Sequence, residues 1–150
     1  MKIEFYPAQR ALVEAKLSPD KLEHSIRVGE LASRQGAAYA TVGLMHDMLE
    51  DSDVTLDELR AAGVTDEELE AIQLLTRGDE TYEEYVTGIA VSEDRLAISV
   101  KLCDLLDHLD PSINAGLTDV KVTRYLSALP QLIAALRELN EGSSFSDRGR

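Results

Sequence analysis

The stretch LAISVKLCDLLDHL, residues 96–109, decides the fold of this chain. Its apolar residues cover most of the circumference of a helix, and this pattern predicts a helix that is buried on most sides. At about 100° per residue, one arc of about 120° carries the polar residues of that helix: Lys101, Asp104, Asp107 and His108. Because an unpaired buried carboxylate is costly, this polar arc requires partners on other elements, and a metal ion would satisfy it.

The remaining segments also predict helices, because the chain is rich in Leu and Ala and poor in Gly and Pro. Ser18 and Pro19 are typical of a helix N-terminus, and Thr55 and Thr65 precede acidic and apolar residues as N-caps do. Residues 98–102 come nearest to a strand, but their helical flanks argue against one. We therefore expect an all-α fold, a single helical bundle of about seven to nine helices.

Several helix ends are marked by particular residues. Gly36 and Gly78 are expected to end helices, and Ser92 is expected to cap the helix that holds the quoted stretch. Pro130 is expected to kink or divide the last helix. The expected helices are residues 7–16, 18–36, 37–50, 82–90 and 92–108, one helix after each of Thr55 and Thr65, and a long helix from Thr118.

Length and charge restrict the classes of protein. A chain of 150 residues suits one domain, which we place at residues 1–141, followed by a disordered tail at residues 142–150. The formal charge of −13, without a basic stripe, argues against duplex DNA or RNA as a partner. The first residues lack a signal-peptide pattern, and no stretch approaches the ~18 apolar residues of a membrane span, so we expect a cytoplasmic protein without a membrane partner. Cys103 is the only cysteine, which excludes an internal disulfide framework.

The three histidines of the chain point to a metal site. On a continuous helix, residues 46–47 (His-Asp) and 50–51 (Glu-Asp) fall inside an arc of about 140° beside apolar residues, so they face a wet cleft or bind something. The side chain of His24 lies on the apolar side of its own helix and is expected to point inward. Four ligands from three helices are then available: His24, His46, Asp47 and Asp104. Such a mixed nitrogen and oxygen set suits Mn, Fe or Mg better than a thiolate-type zinc site does.

Each of these features alone also fits an ordinary structural role. An inward histidine such as His24 commonly bonds to a carbonyl in the core, and Asp104 could pair with Lys101 or His108 on its own helix. The acids at residues 50–51 could form a solvated helix end, and internal salt bridges could account for the whole polar arc. A metal site has the advantage that it explains all of these residues together.

These residues resemble the HD phosphohydrolase superfamily, whose pattern is a His on one helix, a His-Asp pair on the next, and a later Asp. Residues 43–52, GLMHDMLEDS, are similar to the hydrolase domain of RelA/SpoT proteins and to small alarmone hydrolases, which carry a Leu-His-Asp-x-x-Glu-Asp-Thr type motif. Residues 101–108, KLCDLLDH, resemble their Lys-Leu-Ala-Asp block. The resemblance extends from about Lys21 to Tyr125.

The resemblance implies a single HD domain that hydrolyses a nucleotide. The metal would be Mn²⁺, with Mg²⁺, Fe²⁺ and Co²⁺ as alternatives, and its ligands would be His24, His46, Asp47 and Asp104. Glu50 and Asp51 would position or deprotonate the attacking water. The residues that contact substrate would be Lys101, His108, Lys121, Tyr125, Lys21 and Arg27. The reaction would remove the 3′-diphosphate of ppGpp or pppGpp and release pyrophosphate.

The chain departs from that family at His108, because relatives usually carry Asn there and use it to contact the nucleoside. Two alternatives to alarmone hydrolysis therefore stay open. One is an HD-type nucleotidase that acts on a nucleoside monophosphate, and the other is a non-catalytic helical module that binds a nucleotide. A small-molecule nucleotide is the expected partner in each case, and formation of a homo-oligomer is left open.

Overall fold

The computed structural model describes the backbone of residues 4–148 and the side chains of residues 4–142. Within this range the chain is all-helical and contains no strand, as the sequence predicts. Over residues 4–148 it forms nine α-helices, of which the fourth is a single turn, and a short 3₁₀ helix at Ser33–Gln35. The α-helices are α1 (Pro7–Lys16), α2 (Pro19–Ala32), α3 (Ala37–Met45), α4 (Met48–Asp51), α5 (Leu56–Ala61), α6 (Asp66–Leu74), α7 (Tyr82–Val91), α8 (Arg95–Leu109) and α9 (Asp119–Arg148).

Threonine side chains cap the starts of three helices. Thr65 accepts a hydrogen bond from the Glu68 N–H, and the Glu68 carboxylate accepts one from the Thr65 N–H, which completes a capping box at α6. Thr55 caps α5, so both predicted threonine caps are confirmed. Thr81 forms a second capping box at the start of α7, which the sequence analysis did not predict.

The start of α8 differs from the prediction, in which Ser92 is its cap. The Asp94 side chain accepts the capping hydrogen bond from the Ala97 N–H. The Ser92 hydroxyl instead donates to the Ile89 carbonyl and closes the end of α7. Between the two helices, Glu93 has a φ of 61°, which turns the chain sharply. The predicted cap is wrong because Ser92 serves the preceding helix.

The ends of the other helices agree with the sequence only in part. Gly36 ends the second helical segment as predicted, with a φ of 144° that favours glycine. Gly78 does not end α6, because that helix stops at Leu74 and Gly78 lies in the loop after it. Pro130 lies within α9 and does not divide it. Helix α9 continues to Arg148, but residues 149–150 and the side chains from residue 143 lie outside the described part, so the disordered tail stays a prediction.

The predicted helix over residues 37–50 is interrupted at Asp47. This residue has φ −101° and ψ 1°, so α3 ends before it and the single turn α4 begins after it. The His46 ring donates from Nδ1 to the Gly43 carbonyl oxygen at 2.6 Å. In a continuous helix that oxygen accepts from the Asp47 N–H, so the ring competes with the backbone. The predicted continuous helix over residues 37–50 is therefore wrong, although Asp47, Glu50 and Asp51 still line one cleft.

Two glycines allow α2 and α3 to cross at close range. A Cβ atom added to Gly43 would lie 2.9 Å from the Gly29 Cα and 3.1 Å from the Val28 carbonyl oxygen. Only glycine fits here, because real Cβ atoms essentially never approach backbone atoms this closely. The crossing brings His24 of α2 and His46 beside each other, with ring centroids 5.2 Å apart.

Helix α8 lies in the middle of the bundle, as the quoted stretch predicts. It contacts α2, α3, α6, α7 and α9, and its residues 96–101 are all buried. Its apolar side chains join a single core with those of α3, including Leu44, Met45 and Leu105. None of the described helices combines the length and the apolar character that crossing a membrane would require.

Candidate metal centre

The structure brings together the four residues that the sequence predicts as metal ligands. One ligand atom of each lies within 4.8 Å of the others: His24, His46, Asp47 and Asp104. The Nε2 atom of His24 lies 2.9 Å from Asp104 Oδ1, and the Nε2 atom of His46 lies 3.3 Å from the same oxygen. The residues come from α2, from the junction of α3 and α4, and from α8, so three distant stretches of chain meet at one point.

His46 presents an unused nitrogen to this centre. Its Nδ1 donates to the Gly43 carbonyl oxygen, which directs Nε2 at the carboxylates. Oxygens of Asp47 and Asp104 lie 3.1 and 3.3 Å from Nε2, yet this buried nitrogen forms no hydrogen bond with any of the described residues. Buried polar atoms are nearly always satisfied, so an unsatisfied imidazole nitrogen facing two carboxylates indicates a place for a cation.

His24 is held between two carboxylates. Its Nδ1 lies 2.6 Å from Asp107 Oδ2, and its Nε2 lies 2.9 Å from Asp104 Oδ1. Burial opposes a charge on this imidazole, but the two hydrogen bonds outweigh burial and raise the pKa of His24 to about 9. Without a cation, His24 is therefore protonated at neutral pH, and a metal ion would compete with a proton for Nε2.

Asp104 is the most enclosed acid of the centre. Burial alone would favour its neutral form, but Lys101 and three surrounding imidazoles hold the pKa of Asp104 well below its usual range. The Lys101 ammonium donates to Asp104 Oδ2 at 2.8 Å and is itself buried. Lys101 therefore lies beside the predicted metal ligands, and its hydrogen-bond partner is the carboxylate of Asp104.

A cleft of about 290 Å³ opens beside the four residues, and both predicted catalytic acids line it. Glu50 accepts a hydrogen bond at Oε1 from the Arg77 N–H, and burial raises the pKa of Glu50. Asp51 pairs with Lys21, whose Nζ lies 3.1 Å from Asp51 Oδ1. Lys21 therefore does not line the cleft itself but forms an ion pair with Asp51, which does.

Only some of the residues predicted to contact substrate line the cleft. His108 is stacked between His24 and Tyr125, with ring centroids 4.5 and 5.1 Å away, and its Nε2 lies 3.2 Å from Asp104 Oδ1. His108 and Tyr125 both line the cleft. Lys121 is exposed in the first turn of α9 and does not line the cleft. Arg27 lies behind His24, where it binds Asp107 instead of facing the cleft.

Four residues that line the cleft were missed by the sequence analysis, and one of them is Tyr85, which is buried in α7. Arg77 is in the loop after α6, Tyr82 begins α7, and Arg124 precedes Tyr125 on α9. The guanidinium groups of Arg77 and Arg124 lie 5.8 and 5.2 Å from the centroid of the Tyr82 ring. No motif marks Arg77 or Tyr82, whereas Arg124 could have been found from its position beside Tyr125. The cleft lining therefore contains guanidinium groups as well as carboxylates, and we call the part formed by Arg77, Tyr82 and Arg124 its cationic side.

The fold and the site define an all-helical protein with two imidazoles and two carboxylates clustered at the base of an open cleft. No protein-family model matches this chain, and no curated protein matches it. Membership of the HD superfamily stays a prediction from the sequence. Chemically, the cluster suits a divalent cation, and the cationic side of the cleft suits an anionic molecule.

Proposed function

We propose that this protein is a metal-dependent phosphohydrolase of the HD type, and that its substrate is ppGpp or pppGpp, from which it releases pyrophosphate. The observation that carries this proposal is the convergence of His24, His46, Asp47 and Asp104 within 4.8 Å. The same four residues hold the metal in the family that the sequence resembles. The cleft beside them supplies room for a substrate.

The donor set fits a divalent metal ion. The Nε2 atom of His46 is buried and has no hydrogen-bond partner among the described residues, although it faces two carboxylates. Two nitrogen and two carboxylate donors suit Mn²⁺, Mg²⁺, Fe²⁺ or Co²⁺, and Mn²⁺ is our first choice by resemblance. When bound, such an ion neutralises the carboxylates and lowers the pKa of a water molecule.

Glu50 is the best placed group to move a proton. Its Oε1 accepts from the Arg77 N–H, and none of the described residues donates to Oε2, which can accept a hydrogen bond from water in the cleft. Burial raises the pKa of Glu50, which brings it closer to the range of a general base. Asp51 is less suited, because its carboxylate already pairs with Lys21. We therefore assign Glu50 as the base and Asp51 as a positioning residue.

The cationic side of the cleft binds the substrate in this proposal. Arg77 and Arg124 lie next to Tyr82 and line the same cleft as the acids. Their guanidinium groups suit phosphate oxygens, which they bind in a two-pronged manner. The acidic chain as a whole repels phosphate, so these two side chains and the metal ion have to offset that repulsion near the reacting group.

The experiment is hydrolysis of ppGpp by full-length protein that has been stripped with a chelator and reloaded with Mn²⁺. Ion-exchange chromatography is expected to show GDP and pyrophosphate as products. Asp104→Asn is expected to abolish turnover, because it removes a carboxylate of the centre. Asp57→Asn is the matched control, since the Asp57 side chain is 95% exposed on α5. Intact ppGpp after incubation with the Mn²⁺-loaded protein would refute the proposed substrate.

One observation favours a second candidate. His108 is stacked against His24 and Tyr125 at the position where alarmone hydrolases usually carry Asn, so nucleoside recognition differs from theirs. The second candidate is an HD-type nucleotidase that releases phosphate from a nucleoside monophosphate. A screen for phosphate release over the common nucleoside monophosphates distinguishes the two, because the alarmone hydrolase releases pyrophosphate and leaves monophosphates intact.

A further inference from the structure

We propose that Asp107 and Arg27 are positioning residues that hold His24 in the orientation required for a metal ion. This inference rests on the proposed function, because it assumes that His24 is a ligand. It changes the role of Arg27, which the sequence analysis assigns to substrate binding. It also gives a role to Asp107, for which the family resemblance implies none.

The contact between Asp107 and His24 determines which imidazole nitrogen faces the centre. His24 Nδ1 lies 2.6 Å from Asp107 Oδ2, and a carboxylate only accepts, so the proton of this bond is on Nδ1. The opposite nitrogen, Nε2, points at Asp104 Oδ1 at 2.9 Å and lies 3.7 Å from Asp47 Oδ2. A neutral imidazole held in this way offers a lone pair to a metal ion at Nε2.

Arg27 in turn fixes the carboxylate of Asp107. Its Nε donates to Asp107 Oδ1 at 2.8 Å, and its Nη2 donates to Oδ2 at 3.1 Å. This two-pronged contact prevents rotation of the carboxylate and engages both of its oxygens. The Asp107 side chain is only 6% exposed, whereas that of Arg27 is 34% exposed, so the guanidinium covers the carboxylate from the solvent side.

Neither residue is placed to contact the substrate. The residues that line the cleft include Asp104 and His108 on either side of Asp107 in sequence order, but neither Asp107 nor Arg27 is among them. Asp107 is also absent from the four residues whose ligand atoms converge. The pair therefore lies on the Nδ1 side of His24, opposite the Nε2 atom that faces the centre.

The two histidines of the centre are anchored by different groups. The Nδ1 of His46 donates to the backbone carbonyl of Gly43, whereas the Nδ1 of His24 donates to the side chain of Asp107. A carboxylate partner raises the basicity of an imidazole more than a carbonyl does, and such partners commonly contribute about 10–100-fold to metal affinity. The anchor of His24 can be removed by mutation, so its contribution can be measured directly.

The test is calorimetric titration of Mn²⁺ into the metal-free full chain. We expect Asp107→Ala to weaken Mn²⁺ binding about 10–100-fold, because His24 loses its anchor. Asp107→Asn is expected to weaken it less, since the amide oxygen still accepts from Nδ1. Both substitutions remove the same negative charge. Equal losses of Mn²⁺ affinity would therefore show an effect of charge alone and overturn the proposal. Asp57→Asn controls for loss of an exposed acid, and binding by Asp107→Ala as tight as wild type would also overturn the proposal.

Arg27→Gln supplies a second test that does not depend on the stability of the Asp107 variants, because Arg27 is partly exposed. Loss of a nearby positive charge would by itself strengthen cation binding, whereas loss of a positioning residue weakens it. We expect about tenfold weaker Mn²⁺ binding, at the low end of the same range. With ppGpp and saturating Mn²⁺, KM is expected to match wild type. Unchanged or tighter Mn²⁺ binding, or a raised KM with unchanged Mn²⁺ binding, would overturn the proposed role.

The outcomes for wild type separate this inference from the proposed function. Wild-type protein that binds Mn²⁺ but leaves ppGpp intact refutes the proposed substrate, and the order of Mn²⁺ affinities among the variants still decides the role of Asp107. Wild-type protein that binds no Mn²⁺ overturns both proposals. If wild type binds Mn²⁺ and turns over ppGpp, but Asp107→Ala binds Mn²⁺ with unaltered affinity, the proposed function stands and only this inference is refuted.

Discussion

Replacement of Gly43 by alanine is expected to destabilise the protein at the point where α2 and α3 cross. The added Cβ would lie 2.9 Å from the Gly29 Cα, 3.1 Å from the Gly29 nitrogen and 3.1 Å from the Val28 carbonyl oxygen. All three are backbone atoms, so no side-chain rotation can relieve the contact, and the two helices have to move apart.

The size of the effect follows from two opposing contributions. Overpacking in a well-packed interior costs about 1–3 kcal/mol. Alanine also recovers helix propensity inside α3, which contributes about 0.5–1 kcal/mol in the favourable direction. We therefore expect Gly43→Ala to lower the free energy of unfolding by about 1–2 kcal/mol.

Urea denaturation followed by circular dichroism measures this difference, and Gly88→Ala is the matched control. Gly88 lies inside α7, and a Cβ atom added there meets nothing within 4 Å. This control is expected to gain about 0.5–1 kcal/mol from helix propensity alone. The two identical substitutions thus have opposite predicted signs. A Gly43→Ala protein as stable as wild type would show that the crossing is not as tight as the structure indicates.

Three further predictions concern the centre and the cleft. The pKa of His24 is raised to about 9 in the metal-free fold. The stabilisation that protonated His24 gives to the fold is therefore fully present below about pH 6.5 and is lost as pH rises through about 9. Urea unfolding is expected to show that the free energy of unfolding falls by up to about 3 kcal/mol over this range in wild type but not in His24→Gln. Addition of Mn²⁺ at a hundredfold excess over its Kd is expected to stabilise wild type by about 2.7 kcal/mol, whereas thermal unfolding of His46→Gln shows little response. Arg124→Gln is expected to raise KM for ppGpp several-fold in steady-state kinetics, whereas Lys121→Gln, outside the cleft, leaves KM unchanged; equal KM values for the two variants would contradict the assigned cationic side.

The sequence was informative where a pattern is local or repeats along a helix. The caps at Thr55 and Thr65 depend on residues three positions away, so they can be recognised without the rest of the fold. The buried character of α8 follows from its apolar periodicity. The convergence of His24, His46 and Asp104 was predicted because a buried polar arc needs partners and few candidates were available.

Other parts of the site depend on contacts between distant segments and could not be predicted. The break at Asp47 coincides with a bond between the His46 ring and the Gly43 carbonyl, and no propensity scale contains that bond. The presence of Arg124 rather than Lys121 in the cleft lining depends on the rotation of α9 about its own axis, which packing against α7 and α8 determines. The proximity of Arg77 to the cleft depends on the path of the loop between α6 and α7.

A single uninterrupted helix, α8, carries Lys101, Asp104, Asp107 and His108. Backbone motion cannot relocate one of these side chains while leaving the others in place, because the helix moves as a rod. Partial disassembly of the centre is therefore disfavoured, and opening of α8 separates all of its contacts at once. Amide hydrogen exchange within this helix consequently gauges the integrity of the entire centre, including in variants whose chemistry is too slow to assay.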